Sequence, residues 1–296
     1  MSASHQEIQT VSSSSSQTKV CREISPTVYK LFEHFLFSRC GIKLGNNKHY
    51  LVANRLDRIL FDSGLSSLDK LISRVCNHQM TEKIELEIID AMTTNETYWF
   101  RELSHFNELA HLIAENKTTQ KTQTFKVWSA ACSSGQEPYS IAMALENYCN
   151  QKGIPNIRNF QILGTDISES VINIARRAVY SDLEITRGLD SIAKKTHFYN
   201  THEGWKVSNS IRSRVRFQTF NLLETFFPLG QFDAIFCRNV LIYFPDDIKR
   251  DILSRMSNAL KKGGVLFISN TEAMPINLDS FELVSNSSAR YYRVKQ

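Results

Sequence analysis

The stretch WSAACSSGQEPYSIAM, residues 128–143, passes from a strand-like run through a turn of small residues into a helix-like run. That is how a ligand-binding turn reads at the carboxyl edge of an open α/β sheet. It carries a single glycine, Gly135, and no lysine, and it closes on Glu137-Pro138. A dinucleotide loop would show G-x-G-x-x-G and a phosphate loop would end in G-K-[ST], and neither is present. The serines and Gly135 let the backbone come close to a ligand, yet nothing is arranged for a pyrophosphate. Glu137 suits a cationic amine instead.

Outward from this turn the chain alternates. FKVWSAA reads as a strand, PYSIAMALENYCN as a helix, NFQILGTD as a strand and SESVINIARRAVY as a helix capped by Ser168. VRFQTF and FDAIFCRN are further strands, followed by the helix DDIKRDILSRMSNALKKGG and the strand GVLFIS. Such alternation predicts a doubly wound, mostly parallel sheet. The end, FELVSNSSARYYRVKQ, reads as two strands added antiparallel at the sheet edge. The alternation lapses between about 181 and 214, which predicts an inserted β-subdomain at about 195–216. The second strand ends on Asp166, where an acidic side chain can accept both hydroxyls of a ribose. A ligand with a ribose, an amine and no phosphate suggests S-adenosylmethionine. The plainer reading of Glu137 is a carboxylate complementing a helix N-terminus.

Upstream the grammar is different. SPTVYKLFEHFLFSRC, KHYLVANRLDRILFDSG, SLDKLISRVCN and TEKIELEIIDAM are helical patterns, with Ser25-Pro26 at a helix start and Gly41 and Gly64 where helices stop. The expected organisation is a flexible serine-rich tail over 1–22, a helical domain over 23–92 and a catalytic domain over 93–296. With 296 residues and 42% hydrophobic content the chain can bury a sizeable core. No run reaches the roughly 18 apolar residues of a membrane span, and the first residues lack the apolar core of a signal peptide, so a cytoplasmic protein is expected. The six cysteines show no C-x-x-C pair, which argues against a zinc or disulfide framework. A net charge of +5 is compatible with an acidic partner without demanding nucleic acid.

Five stretches, TTNETYWFRE (93–102), WSAACSSGQEPYSIAM (128–143), GTDIS (164–168), FNLLE (220–224) and FDAIFCRNVLIYF (232–244), together resemble the chemotaxis receptor methyltransferase (CheR) family in order and spacing. The resemblance extends over nearly the whole chain after the serine-rich tail. It implies a class I S-adenosylmethionine-dependent methyltransferase domain, a small N-terminal helical domain and a β-subdomain. The implied activity is transfer of a methyl group from S-adenosylmethionine to glutamate side chains on the cytoplasmic helical bundle of chemoreceptors, with S-adenosylhomocysteine as product. By resemblance, Asn95, Thr97, Arg101, Glu137, Asp166, Asn221, Leu222, Arg238 and Asn239 correspond to cofactor contacts. Arg101 would pair with the methionine carboxylate, and Tyr243 matches a tyrosine near the transferred methyl; these two are the catalytic candidates. Where the family commonly has a Gly-His-Ser-Glu-like run, this chain has Ser269-Asn270-Thr271-Glu272. Its FYNTHEG stretch is shorter than the glycine-rich loop of members whose β-subdomain docks a receptor tether peptide.

The chemistry implied is undemanding of side chains. A glutamate with a pKa of about 4.3 is already an anion at pH 7, so no general base is required. What remains is alignment in a dry site. Arg101 with Glu102 also reads as an ordinary surface pair, and Tyr243 as a core aromatic. Lys48, Arg55 and Arg58 fall within about 80° on one helix. They read either as a solvated basic edge or as a docking surface for an acidic receptor bundle. Two rivals stand beside this reading. A nucleic-acid methyltransferase is disfavoured, because no Asn/Asp-Pro-Pro-aromatic signature and no aromatic-interleaved basic tract is present. A catalytically silent scaffold is disfavoured by Arg101, Glu137, Asp166 and Tyr243 occurring together. A monomer without metal, without nucleic acid and without membrane insertion is expected.

Overall fold

A computed structural model describes residues 21–115, 124–152, 159–276, 278–286 and 289–295. The expected serine-rich tail lies outside the described residues except for Cys21 and Arg22. The first helices are α1 (Pro26–Cys40), α2 (His49–Asp62), α3 (Leu68–Cys76) and α4 (Glu82–Met92). Pro26 opens α1 behind an extended Ser25, and Gly41 closes it in the left-handed region at φ +72°. Val52, Leu56 and Leu60 recur at four-residue spacing along α2 and are fully buried. They pack with Phe32, Leu36, Leu71, Val75 and Ile88 in one apolar cluster. At about 1.5–3 kcal/mol for each large buried side chain, that cluster is what holds four short helices together.

After α5 (Leu103–Glu115) come β1 (Phe125–Ala130), α6 (Gln136–Lys152), β2 (Phe160–Asp166) and α7 (Glu169–Arg177). β3 (Val179–Tyr180), α8 (Asp182–Thr186), α9 (Ser191–His197), β4 (Phe198–Thr201), β5 (Gly204–Val207) and α10 (Asn209–Arg212) follow. The chain ends with β6 (Val215–Thr219), β7 (Phe232–Cys237), α11 (Asp246–Ala259), β8 (Leu260–Phe267), β9 (Phe281–Ser285) and β10 (Arg290–Val294). The main sheet has seven strands in the order β6-β2-β1-β7-β8-β10-β9. β6, β2, β1, β7 and β8 are parallel, and β10 runs antiparallel between β8 and β9. Alternate residues of each strand serve opposite faces. Val127, Ala234 and Phe236 join the cluster under α5 and α6, while Trp128, Ile235 and Cys237 join the one under α11. The order reverses between β1 and β7, so the crevice at their carboxyl ends is where a ligand belongs.

Three boundaries differ from the sequence reading. The second helix of the sheet domain stops at Arg177, because Ala178 turns left-handed at φ +54° and releases Val179 and Tyr180 as β3. The subdomain therefore begins at Val179: its three-stranded sheet is ordered β3-β5-β4 and includes α8 and α9, whereas Val215 already belongs to the main sheet. The helix expected to run to the Gly263-Gly264 pair ends at Ala259, and β8 starts at Leu260. Gly135 also has a different reason from the one expected. A Cβ there would lie 2.8 Å from that of Ala175 and 3.2 Å from the Tyr180 hydroxyl, so its bareness packs the turn against α7 and the subdomain.

The subdomain is clamped to the segment leading into α5. Trp99 is fully buried with its ring edge-on to Tyr180 and Phe198, and its main-chain N–H donates to the Arg187 carbonyl at 3.2 Å. Gly188, at φ +91°, lets the two backbones touch: a Cβ would fall 2.1 Å from the Trp99 carbonyl oxygen. Gly188→Ala is therefore expected to cost more than about 1 kcal/mol, from a left-handed backbone plus a main-chain clash. Scanning calorimetry should show a melting temperature several degrees lower, and an unchanged melt would mean that the contact opens freely.

Candidate functional site

The crevice between β1 and β7 opens as a cleft whose free space, open mouth included, is about 1060 Å³. Its floor is the β1–α6 turn. Ala131 and Ser133 are both left-handed, at φ +57° and +51°. That conformation aims the Ser133 N–H at Asp166, which accepts at 2.8 Å on Oδ2, while Oδ1 accepts from the Ser168 N–H at 3.0 Å. Burial raises the Asp166 pKa, and these two main-chain donors pull it back in part.

One wall is an ionic network. The Glu137 carboxylate accepts from the Ser129 hydroxyl at 2.7 Å and from Arg238 Nη1 at 2.8 Å. Burial raises its pKa against the pull of Arg238 and Ser129. Every guanidinium nitrogen of Arg238 is engaged, four of its five N–H donors in all: Nε and Nη2 also bond Glu102 Oε2, at 3.2 and 2.8 Å, and Nη2 donates to the Arg101 carbonyl at 2.5 Å. Glu102 accepts further from the Ser269 hydroxyl and the Asn270 N–H. Burial pushes its pKa up, yet the Arg238 charge and these bonds leave it below the usual range. Glu272 accepts from the N–H groups of Asn239 and Ser269, and its Oε1 is buried without a partner. Behind them His105 is fully buried; burial, helped by Arg238, lowers its pKa to about 4, so it is neutral near pH 7.

The opposite lip is the extended segment from Thr93 to Arg101. Asn95 lies on it with its carbonyl accepting from the Ser133 hydroxyl at 2.8 Å. Arg101, flanked by left-handed Phe100 and Glu102, places its guanidinium over the Tyr98 ring at 5.3 Å. No hydrogen bond to that guanidinium is present among the described residues, which leaves its donors for an anion. The last side is formed by Asn221 and Leu222 after β6, and by Asn239 and Tyr243 after β7.

All ten sequence candidates, Asn95, Thr97, Arg101, Glu137, Asp166, Asn221, Leu222, Arg238, Asn239 and Tyr243, line this one cleft. Two differ in what they can offer. Arg238 is committed to Glu102, Glu137 and Arg101, so it positions other groups. The Asn221 amide is likewise occupied, donating to the Arg39 carbonyl at 2.7 Å and accepting from the Leu223 N–H. Glu102 is no surface partner of Arg101 but a member of the buried network. Ser129, Ser133, Ser269 and Glu272 were missed as contributors; for Ser129 and Ser133 the signal was their place in the opening turn.

The basic stripe needs correction. Arg58 is exposed beside Asp62, and Lys48 is exposed ahead of α2. Arg55 is half-buried and its guanidinium bonds main-chain carbonyls at the end of α4. The outer face of α2 instead sets Tyr50 and Phe61, each about four-fifths exposed (79% and 81%), on either side of Arg58.

The donor set fits S-adenosylmethionine: a free guanidinium for a carboxylate, a buried carboxylate for an amine, an acidic strand tip for a ribose and apolar Leu222 and Phe220 for a flat ring. Among the described residues there is no cluster suited to a metal ion and no helix long and apolar enough to cross a membrane. Residues 95–290 match the sequence model described as CheR methyltransferase, SAM binding domain, and residues 28–93 match CheR methyltransferase, all-alpha domain. Chemotaxis protein methyltransferase 1 of Pseudomonas aeruginosa is 41% identical over 272 residues, covering 90% of this chain and 97% of that protein. Chemotaxis protein methyltransferase Cher2 of Pseudomonas putida is 40% identical, covering 90% of this chain and 98% of its own. A chemotaxis protein methyltransferase of Vibrio parahaemolyticus is 39% identical, covering 92% and 98%.

The raised pKa of Glu137 carries a consequence for stability. The folded state holds that proton more tightly than the unfolded chain does, so this residue favours folding below its unfolded pKa and loses that contribution as pH rises through the folded value. At pH 7 its ionised form is a net cost. Glu137→Gln can keep the Arg238 bond through its amide oxygen, with the Ser129 hydroxyl turning to accept from the amide N–H. The unliganded variant should melt no lower than the wild type near pH 8, and the difference between them should shrink toward pH 5. A variant that melts well below wild type at pH 8 would show that the Arg238 pair outweighs the burial cost.

Proposed function

The chain belongs to the CheR methyltransferase family, and from that premise we propose that it methylates glutamate side-chain carboxylates on the cytoplasmic helical bundle of chemoreceptors. The strand order is that of the class I S-adenosylmethionine-dependent fold, and the protein is a chemotaxis methyltransferase that uses this cofactor. The carrying observation is the character of the cleft wall. Among the described residues lining it there is no histidine and no lysine, and the carboxylates of Glu96, Glu137 and Asp166 already accept hydrogen bonds. Burial pushes the Cys40 thiol up to about 11 and Cys132 well above its ordinary value, so neither thiol is a base at neutral pH. An acceptor that needs no deprotonation fits such a site, and a carboxylate is one.

When bound, S-adenosylmethionine supplies an electrophilic methyl group on a sulfonium. Arg101 holds the methionine carboxylate by a charge-assisted fork. Glu137 accepts the amine and Asp166 the ribose hydroxyls. Asn95, Thr97, Leu222 and Asn239 wall the cofactor, while Arg238 keeps Glu137 and the Arg101 backbone in place. Tyr243, whose hydroxyl has no partner among the described residues, orients the incoming carboxylate. The apolar walls exclude water, which strengthens attraction between an anionic acceptor and a cationic methyl donor.

Lys48 and Arg58, with Tyr50 and Phe61, face outward on the helical module and serve receptor docking in the cytoplasm. The β4–β5 hairpin turns through His202 and Glu203 alone, so any receptor tether peptide would have to dock along the strands with little help from the turn. The enzyme acts as a monomer.

Three measurements test this. Mild alkali should release labelled methanol from a receptor cytoplasmic fragment methylated by the protein, because a glutamyl methyl ester is base-labile; alkali-stable label would point to an amine or nucleic-acid acceptor. Asp166→Ala should weaken S-adenosylhomocysteine binding by about 1.5–3 kcal/mol in calorimetry, the scale of hydrogen bonds to a charged group. Tyr243→Phe should lower kcat while leaving that affinity in place, and an unchanged kcat would remove the hydroxyl from the reaction.

A further inference from the structure

Arg55 lies on α2, yet its guanidinium reaches the end of α4. Nη1 donates to the carbonyls of Met92 at 2.6 Å and Thr93 at 2.8 Å, with a longer contact to Ala91 at 3.4 Å, and Nη2 donates to Thr94 Oγ1 at 3.1 Å. The last carbonyls of a helix lack intrahelical partners and carry the negative end of its dipole. α4 has no basic residue in its own last turn. Arg55 supplies from a neighbouring helix the cation that α4 lacks.

What leaves α4 at that point is the lip of the cleft. Thr93 is extended, at φ −71° and ψ 157°, and Thr93, Thr94, Asn95, Thr97, Tyr98 and Arg101 all line the cleft. Further along, the lip is held by Ser133 at the Asn95 carbonyl, by Arg187 at Glu96 and by Ser140, whose hydroxyl accepts from the Phe100 N–H. Among the described residues upstream of Asn95, Arg55 is the side chain from outside the segment that ties down both its backbone and a hydroxyl. Thr93 also bonds back to α4, its N–H and hydroxyl donating to the Ile89 and Asp90 carbonyls, so losing Arg55 would release the Thr93 carbonyl and Thr94, the residues that lead to Asn95.

We propose that Arg55 is a positioning residue for the cofactor, fixing the start of the cleft lip from the helical module. The proposal rests on the cofactor and not on the identity of the methyl acceptor. It replaces a docking role that would have put Arg55 in contact with receptor.

The test is calorimetry of the full chain with S-adenosylhomocysteine, without any receptor, on Arg55→Ala, Arg55→Lys and Thr94→Val. Arg55→Ala should raise Kd about tenfold, a coupling of about 1.4 kcal/mol. Arg55→Lys keeps a charge at the helix end but not the fork, and Thr94→Val removes one acceptor, so both should show smaller increases in the same direction. In kinetics with a receptor fragment, KM for S-adenosylmethionine should rise while KM for the fragment stays within about twofold. A purely structural role would lower the melting temperature and the active fraction and leave Kd of the folded protein unmoved. Wild-type Kd in Arg55→Lys and Thr94→Val overturns the proposal even if Arg55→Ala fails to fold. A raised receptor KM with unchanged Kd returns Arg55 to docking.

Discussion

The guanidinium of Arg238 is almost completely withdrawn from water and lies between the carboxylates of Glu102 and Glu137, each 2.8 Å away. Burying one cation costs several kcal/mol unless its donors are matched, and leaving one partner out of such a set typically costs about 3–5 kcal/mol. Truncating a partner is therefore far costlier than a substitution that keeps its hydrogen bond. The arrangement joins four pieces of chain that are remote in sequence: the end of β7, the first turn of α6, the lip at Arg101-Glu102 and, through Glu102, the Ser269-Asn270 turn after β8. Where Arg101 and Glu137 stand relative to each other follows from it. These are the two groups whose charges suit the two ends of an amino-acid moiety.

The backbone around this network is strained. Phe100, Glu102, Ala131, Ser133 and Asn239 are non-glycine residues with positive φ, and all border the cleft or its wall. Such conformations cost of order 1–3 kcal/mol each and persist only where the surroundings over-determine them. Here the determinants are visible: Glu102 is held by Arg238 and Ser269, Asn239 by Glu272, and Ser133 by Asp166 and Asn95. A rigid, pre-shaped cleft suits a displacement that depends on alignment.

Glu137 and Asp166 were legible in the sequence because their positions follow from element boundaries, a strand tip and a first helical turn, which hydrophobic patterning locates. The other eight cleft candidates came only from the family resemblance, and they reach the same cleft because each sits in a quoted motif at the carboxyl end of a strand or on the segment before α5. What patterning does not carry is the pairing of remote side chains. Nothing local distinguishes Arg238 as a buried hub from a ligand contact, or Glu102 from a surface carboxylate. The contacts of Arg55 were hidden for a related reason. A helical wheel sees only the helix, and α2 places Arg55 against the end of α4, an encounter set by the Val52, Leu56 and Leu60 packing and not by the charge pattern. The subdomain boundary was late by about sixteen residues, from about 195 to Val179, because β3 is two residues long and follows α7 with only Ala178 between.

The helical module is consequently part of the cleft, and the subdomain braces its lip. Cys40, Ile42 and Met92 line it from the helical side. The Arg39 carbonyl receives the Asn221 amide, Ser168 bonds Asp90, and Arg55 holds Thr93 and Thr94. From the other side Arg187 pairs with Glu96 and stacks over Tyr98. The lip thus takes its shape from elements that also present the outer surfaces of the molecule. A partner pressing on α2 or on the subdomain acts on bodies rigidly packed through their own apolar cores, and such bodies transmit displacement because dense interiors do not absorb it. Between them the lip is held by side-chain bonds from Thr93 to Glu96 and anchored by Trp99 in the core shared with the subdomain, so a displacement of either body would reach residues that line the cleft.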